Sequence, residues 1–558
     1  MNPDDPLIIQ SDRTVLAEVD SPRFAEVRPL LARFAELVKT PEHVHTYRLT
    51  PLSLWNARAS GVGSDEILEV LSGFAKFPLP STIPSWVRET AGRYGRLSLR
   101  RAPGADLLLV ADSAALADEL IGHDRLRALL GTRLSPTSFL VPVEARGRLK
   151  VTLVDTGHPV EDIAGYTPGE PLRIPLRSHS RTTGAAFSLR DYQRAAVDSF
   201  HLQGDDRGGS GVLVLPCGAG KTIIGLGAMA AVGTSTLILV IGVTAARQWI
   251  AEILDKTDLT ADQIGEYDGT VKDVKPVTVA TYQVLTHRDR NAGGMPHLEL
   301  FNQRDWGLVV YDEVHLLPAP VFQATAGIQA RRRLGLTATL VREDGQERSV
   351  FALIGPKKTD VPWKALEATG WIATARCTEV RLTLPEDRRI PYLTAERKDQ
   401  HRLAAENPRK MDAIRAILAR HPHEPTLIIG LYVEQVLAIS ESLGIPHLIG
   451  STGQRRREQL YADFRAGTLR ALAVSKVANS SVDLPDASVA IQVSGSFGSR
   501  QEEAQRLGRI LRPKPGANQA WFYTLVTADT VEQDFALHRQ LFLCEQGYEY
   551  AIVDGVPT

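Results

Sequence analysis

GVLVLPCGAGKTIIGLGAMAA, residues 211–231, decides the fold. The apolar run ending at Pro216 reads as a buried strand, and the pattern turns helical from Lys221. Between them lies a small-residue turn, Cys217-Gly218-Ala219-Gly220. A glycine-rich turn between a strand and a helix suits an anion. Its backbone N–H groups close around phosphate oxygens, and the helix N-terminus favours negative charge. Residues Pro216, Cys217, Gly218, Ala219 and Gly220 would then cradle the phosphates of ATP. Lys221 would reach the β- and γ-phosphates, and Thr222 would hold Mg²⁺. The strict pattern opens on glycine, where this chain has Leu215. Taken alone, the stretch also fits a turn that binds nothing.

Working outward, Leu308-Val309-Val310-Tyr311 ends in Asp312-Glu313-Val314-His315, about ninety residues downstream. A buried strand there delivers two adjacent carboxylates to the sheet edge. Asp312 suits the cation, and Glu313 suits the polarisation of an attacking water. Either motif alone has a bland alternative, but together they form a Walker pair and point to hydrolysis of a nucleoside triphosphate.

The flanking grammar is consistent. GVLVLP, TLILVIGV, PVTVATYQ and DWGLVVYDE alternate with helical patterns, and TLIIGLY, ALAVSK, SVAIQVSG and AWFYTLV repeat the scheme later. Continuous apolar strands interleaved with helices predict parallel sheets covered on both faces. The fold class is therefore α/β with two tandem parallel-sheet lobes, at 185–370 and 371–558. A mixed α+β region precedes them, divided as 1–60 and 61–180. Its short helical patterns DEILEVLSGFAKF and SWVRETAGRYG, followed by LSLRRAPGADLLLVAD, fit a small winged-helix-like module and a linker.

Composition bounds the remainder. At about 150 residues per domain, 558 residues make three or four domains. With 44 Gly and 33 Pro, the chain is neither collagenous nor low-complexity. It carries 65 acidic against 64 basic residues, so it is no polycation, yet a global sum is blind to a local basic groove. Cys217, Cys377 and Cys544 lie far apart and make neither a disulfide framework nor a zinc site. The longest apolar run, Thr236 to Val243, is too short to span a bilayer, and the acidic start MNPDDPLIIQ is unlike a signal peptide. The expectation is a cytoplasmic protein without a membrane partner.

Gln505, Arg509 and Arg512 in QRLGRILR share one helix face. Two guanidiniums so placed suit a γ-phosphate held by the first lobe, as arginine fingers in cis; a solvated basic helix is the alternative.

PCGAGKT, DEVH, TAT and QRLGRILR, in this order, resemble the superfamily 2 helicases. LRDYQ at Leu189–Gln193, LGLTATLVREDG at Leu334–Gly345 and FALIGPK at Phe351–Lys357 narrow the resemblance to the XPB branch, in a bacterial form. SKVANSSVDLP at Ser475–Pro485, GSRQEEAQRLGRILRPK at Gly498–Lys514 and HRQLFLCEQGY at His538–Tyr548 add to it. The resemblance implies RecA-like lobes and an ATP-dependent DNA helicase, 3′-to-5′ in polarity and acting in DNA repair. It further implies that Gln193 reads adenine, that Thr337 and Thr339 couple nucleotide state to DNA grip, and that Asp483 approaches the ribose or the lobe interface. Arg342, Glu343 and Asp344 would help separate strands, or form a solvated loop. DNA contacts would come from Thr244 to Gln248, Thr281 to Gln283, Thr452, and Ser475 with Lys476. The implied partners are a single-stranded tail or duplex junction, and a nuclease or other repair protein.

The chain departs from the family pattern twice. Ala478-Asn479 stands where Gly-Asp is usual, and the thumb-like insertion shrinks to about 384–407, where a plain helical hairpin is the alternative. A double-strand translocase, or an ATPase switch that remodels protein–DNA complexes without processive unwinding, would use the same residues.

Overall fold

The computed structural model describes residues 4–39, 43–102, 106–216, 218–288, 295–328, 331–338, 347–361, 366–367, 369–475, 487–494, 518–545 and 548–556. The chain forms two compact units, Met1–Leu215 with Gly220–Val361, and Pro216–Ala219 with Pro362–Thr558.

The first unit begins with an antiparallel sheet of β1 (Leu7–Ile9), β2 (Thr14–Glu18), β3 (Glu36–Lys39) and β4 (Val44–Arg48), in the order β1-β2-β4-β3. Three helices, Pro51–Ala59, Ser64–Gly73 and Thr82–Gly92, follow. The Thr50 hydroxyl accepts from Ser53 N at 3.1 Å, and Pro51 occupies the first turn, where a missing N–H costs nothing. Ile67 and Leu71, and Ile83, Val87 and Ala91, recur at four-residue spacing and share one core with Leu7, Val15, Phe34 and Tyr47. The boundary expected at residue 60 thus lies inside the stretch this core spans.

A second core, from Leu97 to Ala164, belongs to a mixed sheet. Its strands are β5 (Leu97–Arg101), β6 (Leu107–Ala111), β7 (Arg133–Ser135), β8 (Ser138–Val141) and β9 (Val160–Asp162), in the order β7-β8-β6-β5-β9. The β5–β6 hairpin expected as a wing is here the centre of that sheet, and β9 joins β5 in parallel. Buried Asp162 holds both Arg146, at 2.7 Å, and Lys150, at 2.9 Å.

These modules pack directly on the following lobe. Helix Arg146–Asp155 lies against helices Ala319–Gly327 and Glu347–Leu353. Gly147 permits the approach, since a Cβ there would stand 2.4 Å from Ala326 O. Trp55, Val154, Phe351 and Ala352 form a shared apolar cluster.

The lobe itself is a seven-stranded sheet of β10 (Ser210–Val214), β11 (Thr236–Val240), β12 (Ile264–Tyr267), β13 (Val277–Thr281), β14 (Leu308–Asp312), β15 (Arg332–Thr337) and β16 (Lys357–Asp360). All pairings are parallel, in the order β12-β13-β11-β14-β15-β10-β16. β10, β11 and β13 are buried along their whole length, as continuous apolar runs require.

The second unit repeats the plan. β17 (Thr374–Leu382), β18 (Thr426–Gly430), β19 (His447–Leu448), β20 (Ala471–Ser475), β21 (Val489–Gln492), β22 (Gln519–Thr527) and β23 (Glu549–Asp554) form a parallel sheet in the order β19-β20-β18-β21-β22-β17-β23. Beneath it Lys410 Nζ donates to Glu532 at 2.8 Å and to Val493 O at 2.8 Å, in full burial. The insertion at 384–407 is a pair of helices, Glu386–Thr394 and Arg397–Ala405, tied back where Tyr392 Oη accepts from Val531 N at 2.9 Å. Among the described residues no helix is long and apolar enough to cross a membrane.

Candidate active site

The site grows from the strand order of the first lobe. β15 runs between β14 and β10, and register sets Thr337 level with Val214, and Asp312 level with Leu336. Three carboxyl ends therefore open side by side at one sheet edge, where parallel α/β folds bind ligands.

Beyond β10 the loop turns at Gly218 and Gly220, with φ of +81° and +77°, a region closed to most L-residues. Gly220 caps helix Lys221–Val232, so the first-turn N–H groups lack intrahelical partners and can serve an anion. A Cβ on Gly220 would stand 2.8 Å from Gln193 Nε2, so a side chain there would also push the glutamine amide aside. Gln193 is buried; its Oε1 accepts from Arg190 N at 3.0 Å and its Nε2 donates to Tyr192 Oη at 3.3 Å. Thr222 is half-buried in the first helical turn.

At the end of β14, Asp312 Oδ2 accepts from Trp249 Nε1 at 2.9 Å and Oδ1 accepts from Glu313 N at 3.1 Å. Its carbonyl accepts from Tyr282 Oη at 3.0 Å. The Glu313 carboxylate forms a tight ion pair with the Lys221 ammonium, which joins the two sequence motifs physically. Glu313 stands in the left-handed region, φ 51° and ψ 55°, a strained state for a residue with a Cβ. His315 Nδ1 lies 2.7 Å from Thr337 Oγ1 and 3.6 Å from Glu313 Oε2, linking the DEVH box to the TAT strand.

Electrostatics separates the two carboxylates. Burial and then the neighbouring Glu313 charge push Asp312 up to about 6, against the pull of Lys221 and the Trp249 hydrogen bond. Burial acts on Glu313 in the same direction, but Lys221 and then His315 outweigh it and hold its carboxyl below the usual value. Two buried carboxylates facing one ammonium leave a negative charge to balance, and their oxygens suit a hard divalent cation. Among the described residues no group of three or more His, Cys, Asp or Glu forms a complete metal cage. An oxygen pair of this kind could hold Mg²⁺, a cation that keeps most of its shell as water and phosphate oxygen.

Lys221, Asp312, Glu313, Gln193, Gly220 and Thr337 thus gather at one edge. Thr244 is half-buried and Gln248 exposed on helix Val243–Lys256. Thr281 is 2% exposed, and its hydroxyl accepts from Val284 N as a helix cap, leaving Gln283 as the exposed polar group there. In the second unit Thr452 Oγ1 accepts from Ile449 N at 3.1 Å, and Ser475 is buried at the end of β20. Cys217, Thr339, Arg342, Glu343, Asp344, Lys476, Asp483, Gln505, Arg509 and Arg512 lie outside the described residues. Trp249, Tyr282 and the link from His315 to Thr337 escape sequence reasoning. Trp249 follows Ala246 and precedes Ile253 at helical spacing, so it reads as core.

Family models match three stretches: the ERCC3/RAD25/XPB C-terminal helicase at 366–557, the helicase conserved C-terminal domain at 7–135, and the type III restriction enzyme res subunit at 186–342. The chain is 52% identical to the DNA 3′-5′ helicase XPB of Kineococcus radiotolerans, over 99% of this chain and 97% of that one. With the protein of the same name from Mycobacterium tuberculosis it shares 50% identity, covering 99% and 98%. The helicase/translocase subunit XPB of general transcription and DNA repair factor IIH from Antonospora locustae is 33% identical over 99% of this chain and 82% of its own length. Edge geometry, paired lobes and full-length similarity converge, and the chain belongs to the XPB family of superfamily 2 helicases.

Proposed function

We propose that this chain is an ATP-dependent 3′-to-5′ DNA helicase that acts in DNA repair. The observation that carries the reading is the Lys221–Glu313 ion pair beside Asp312 at the carboxyl edge of the parallel sheet. Without nucleotide, Glu313 neutralises the lysine. Phosphates entering the loop at residues 216–220 compete for that ammonium, which frees Glu313 to take a proton from, and orient, the attacking water. The strained backbone of Glu313 holds its carboxylate at the strand end. Thr222 and Asp312 would hold Mg²⁺, which would supply charge neutralisation for the bound phosphates. Gln193, beside Gly220, reads adenine. Gln505, Arg509 and Arg512 complete the reaction, and Asp483 serves the ribose or the lobe interface.

Coupling runs from Glu313 through His315 to Thr337, and Thr339 and the Arg342-Glu343-Asp344 triplet follow Thr337 in the chain as the groups that would receive it. DNA is gripped through phosphates by Thr244, Gln248, Gln283, Thr452 and Lys476, without base readout, while the buried Thr281 and Ser475 shape the strand ends beside them. We assign the modules as an amino-terminal region to residue 180, lobe 1 at 185–370 and lobe 2 at 371–558, with a thumb at 384–407. The setting is the bacterial cytoplasm at the nucleoid, with a tailed or forked DNA and a nuclease or other repair protein as partners.

Lys221→Ala and Glu313→Ala each abolish DNA-stimulated ATP hydrolysis; normal rates in both would sink the reading. Strand-displacement and triplex-displacement assays run in parallel separate unwinding from double-strand translocation.

A further inference from the structure

Helix Val243–Lys256 turns the exposed Gln248 outward and its neighbour Trp249 inward. Trp249 is 1% exposed, and its indole N–H reaches Asp312 Oδ2 at 2.9 Å. The far rim of the same ring presses on the helix that follows the phosphate loop. A Cβ on Gly225 would stand 2.4 Å from Trp249 Cη2, too close for any side chain. Gly225 lies inside helix Lys221–Val232, where glycine is about 1 kcal/mol worse than alanine, and its φ is not positive. The backbone does not call for glycine there; the ring does. One indole therefore touches the phosphate-loop helix and the Asp312 strand end while riding on the helix of Thr244 and Gln248.

The chemistry of the donor matters. An indole N–H donates and cannot accept, and it carries no charge. A lysine or arginine in its place would neutralise Asp312 and compete with a divalent cation. Trp249 instead orients the carboxylate and satisfies one lone pair while leaving its charge for the metal. Glu313 N satisfies another on Oδ1, so both oxygens are fixed in direction.

We propose that Trp249 is a positioning residue that holds Asp312 for Mg²⁺ and passes movement of the DNA-facing helix to that carboxylate. The proposal rests on the reading of Asp312 as the cation-holding group. Outer partners of metal ligands change metal affinity about 10–100-fold when lost.

The test uses the full chain with ADP and titrates Mn²⁺ by electron paramagnetic resonance, with and without a single-stranded oligonucleotide. Trp249→Phe keeps a ring against Gly225 and removes the N–H. Mn²⁺ binding weakens by about tenfold, the oligonucleotide no longer shifts it, and ADP binding without metal stays unchanged. Gly225→Ala, which displaces the ring but keeps its N–H, gives the same pattern and decides the matter if Trp249→Phe does not fold. Asp312→Asn distinguishes the two levels of argument. If it binds Mn²⁺ like the parent, the reading of the site fails. If it loses Mn²⁺ while Trp249→Phe and Gly225→Ala keep both the affinity and its shift with DNA, this proposal alone is overturned. A parent protein whose Mn²⁺ affinity ignores the oligonucleotide overturns the transmission of movement.

Discussion

Replacing Phe351 by alanine tests whether the amino-terminal modules and the first lobe form one cooperative body. Phe351 sits on helix Glu347–Leu353 and is 7% exposed. Its ring centroid lies 6.5 Å from that of Trp55 and 6.3 Å from that of Tyr94, both contributed by the amino-terminal region. Removing a buried phenyl costs about 3–5 kcal/mol, through lost transfer energy and the cavity left behind. The two ring contacts, each about 0.5–1.5 kcal/mol, fall within that figure. Neighbouring polar ties survive the change, since Asn56 Oδ1 still accepts from Lys357 N at 3.0 Å and Ser60 still donates to Lys357 O. The substitution should therefore weaken the seam without dissolving either module. Urea unfolding followed by tryptophan fluorescence, with limited proteolysis alongside, reads the outcome. The parent should show the modules and the lobe unfolding together. Phe351→Ala should lower stability by the stated amount and expose the amino-terminal region to protease first. A loss below about 1 kcal/mol with an unchanged cleavage pattern would refute the reasoning. The same seam implies that removing residues 1–180 bares Phe351 and the Ala326 end of the helix against which Gly147 packs.

The second lobe holds a buried ion pair whose halves are unequal to lose. Lys410→Met strands Glu532, only 3% exposed, and should cost about 3–5 kcal/mol in urea unfolding, whereas Lys410→Met with Glu532→Leu should recover much of it. His45 offers a pH test. Burial, and then the charge of Arg28, lower it to about 4 from the ordinary 6.5. The unfolded chain then takes up more protons between those values, so the amino-terminal core loses stability as pH falls from about 6.5 through about 4. His45→Phe, packed on Phe24 as the imidazole is, should flatten that slope in urea midpoints measured from pH 7.5 to 5.

The central strands were the most legible part of the fold. β10, β11, β13 and β14 of the first lobe, and β18, β20, β21 and β22 of the second, coincide with the apolar runs quoted from the sequence. Edge strands were not. β16, Lys357-Lys358-Thr359-Asp360, is polar because only one side of it is paired, and no hydropathy pattern marks such a strand. The β5–β6 hairpin was visible as a hairpin, but its place in a five-stranded sheet depends on partners from 133–141 and 160–162.

For the candidate site, residue type and order along the chain pointed to Lys221 and Thr222 at a helix start and to Asp312 and Glu313 at a strand end, and the structure places Lys221 against Glu313. Thr281 shows the limit. A threonine after a strand is more often a cap or turn residue than a phosphate contact, and here Thr281 is buried with its hydroxyl accepting from Val284 N.

The amino-acid sequence determined what is local or strictly chemical: the strand–loop–helix unit at 211–231, the carboxylates at 312 and 313, the two α/β lobes and the family. Tertiary structure alone decided which distant groups meet. The ion pair of Lys221 with Glu313, the hydrogen bond from Trp249 to Asp312 and the seam of Phe351 with Trp55 each close a long loop of chain. Periodicity reports only which face of an element is buried. Which partner fills that face follows from strand order and packing of the whole sheet.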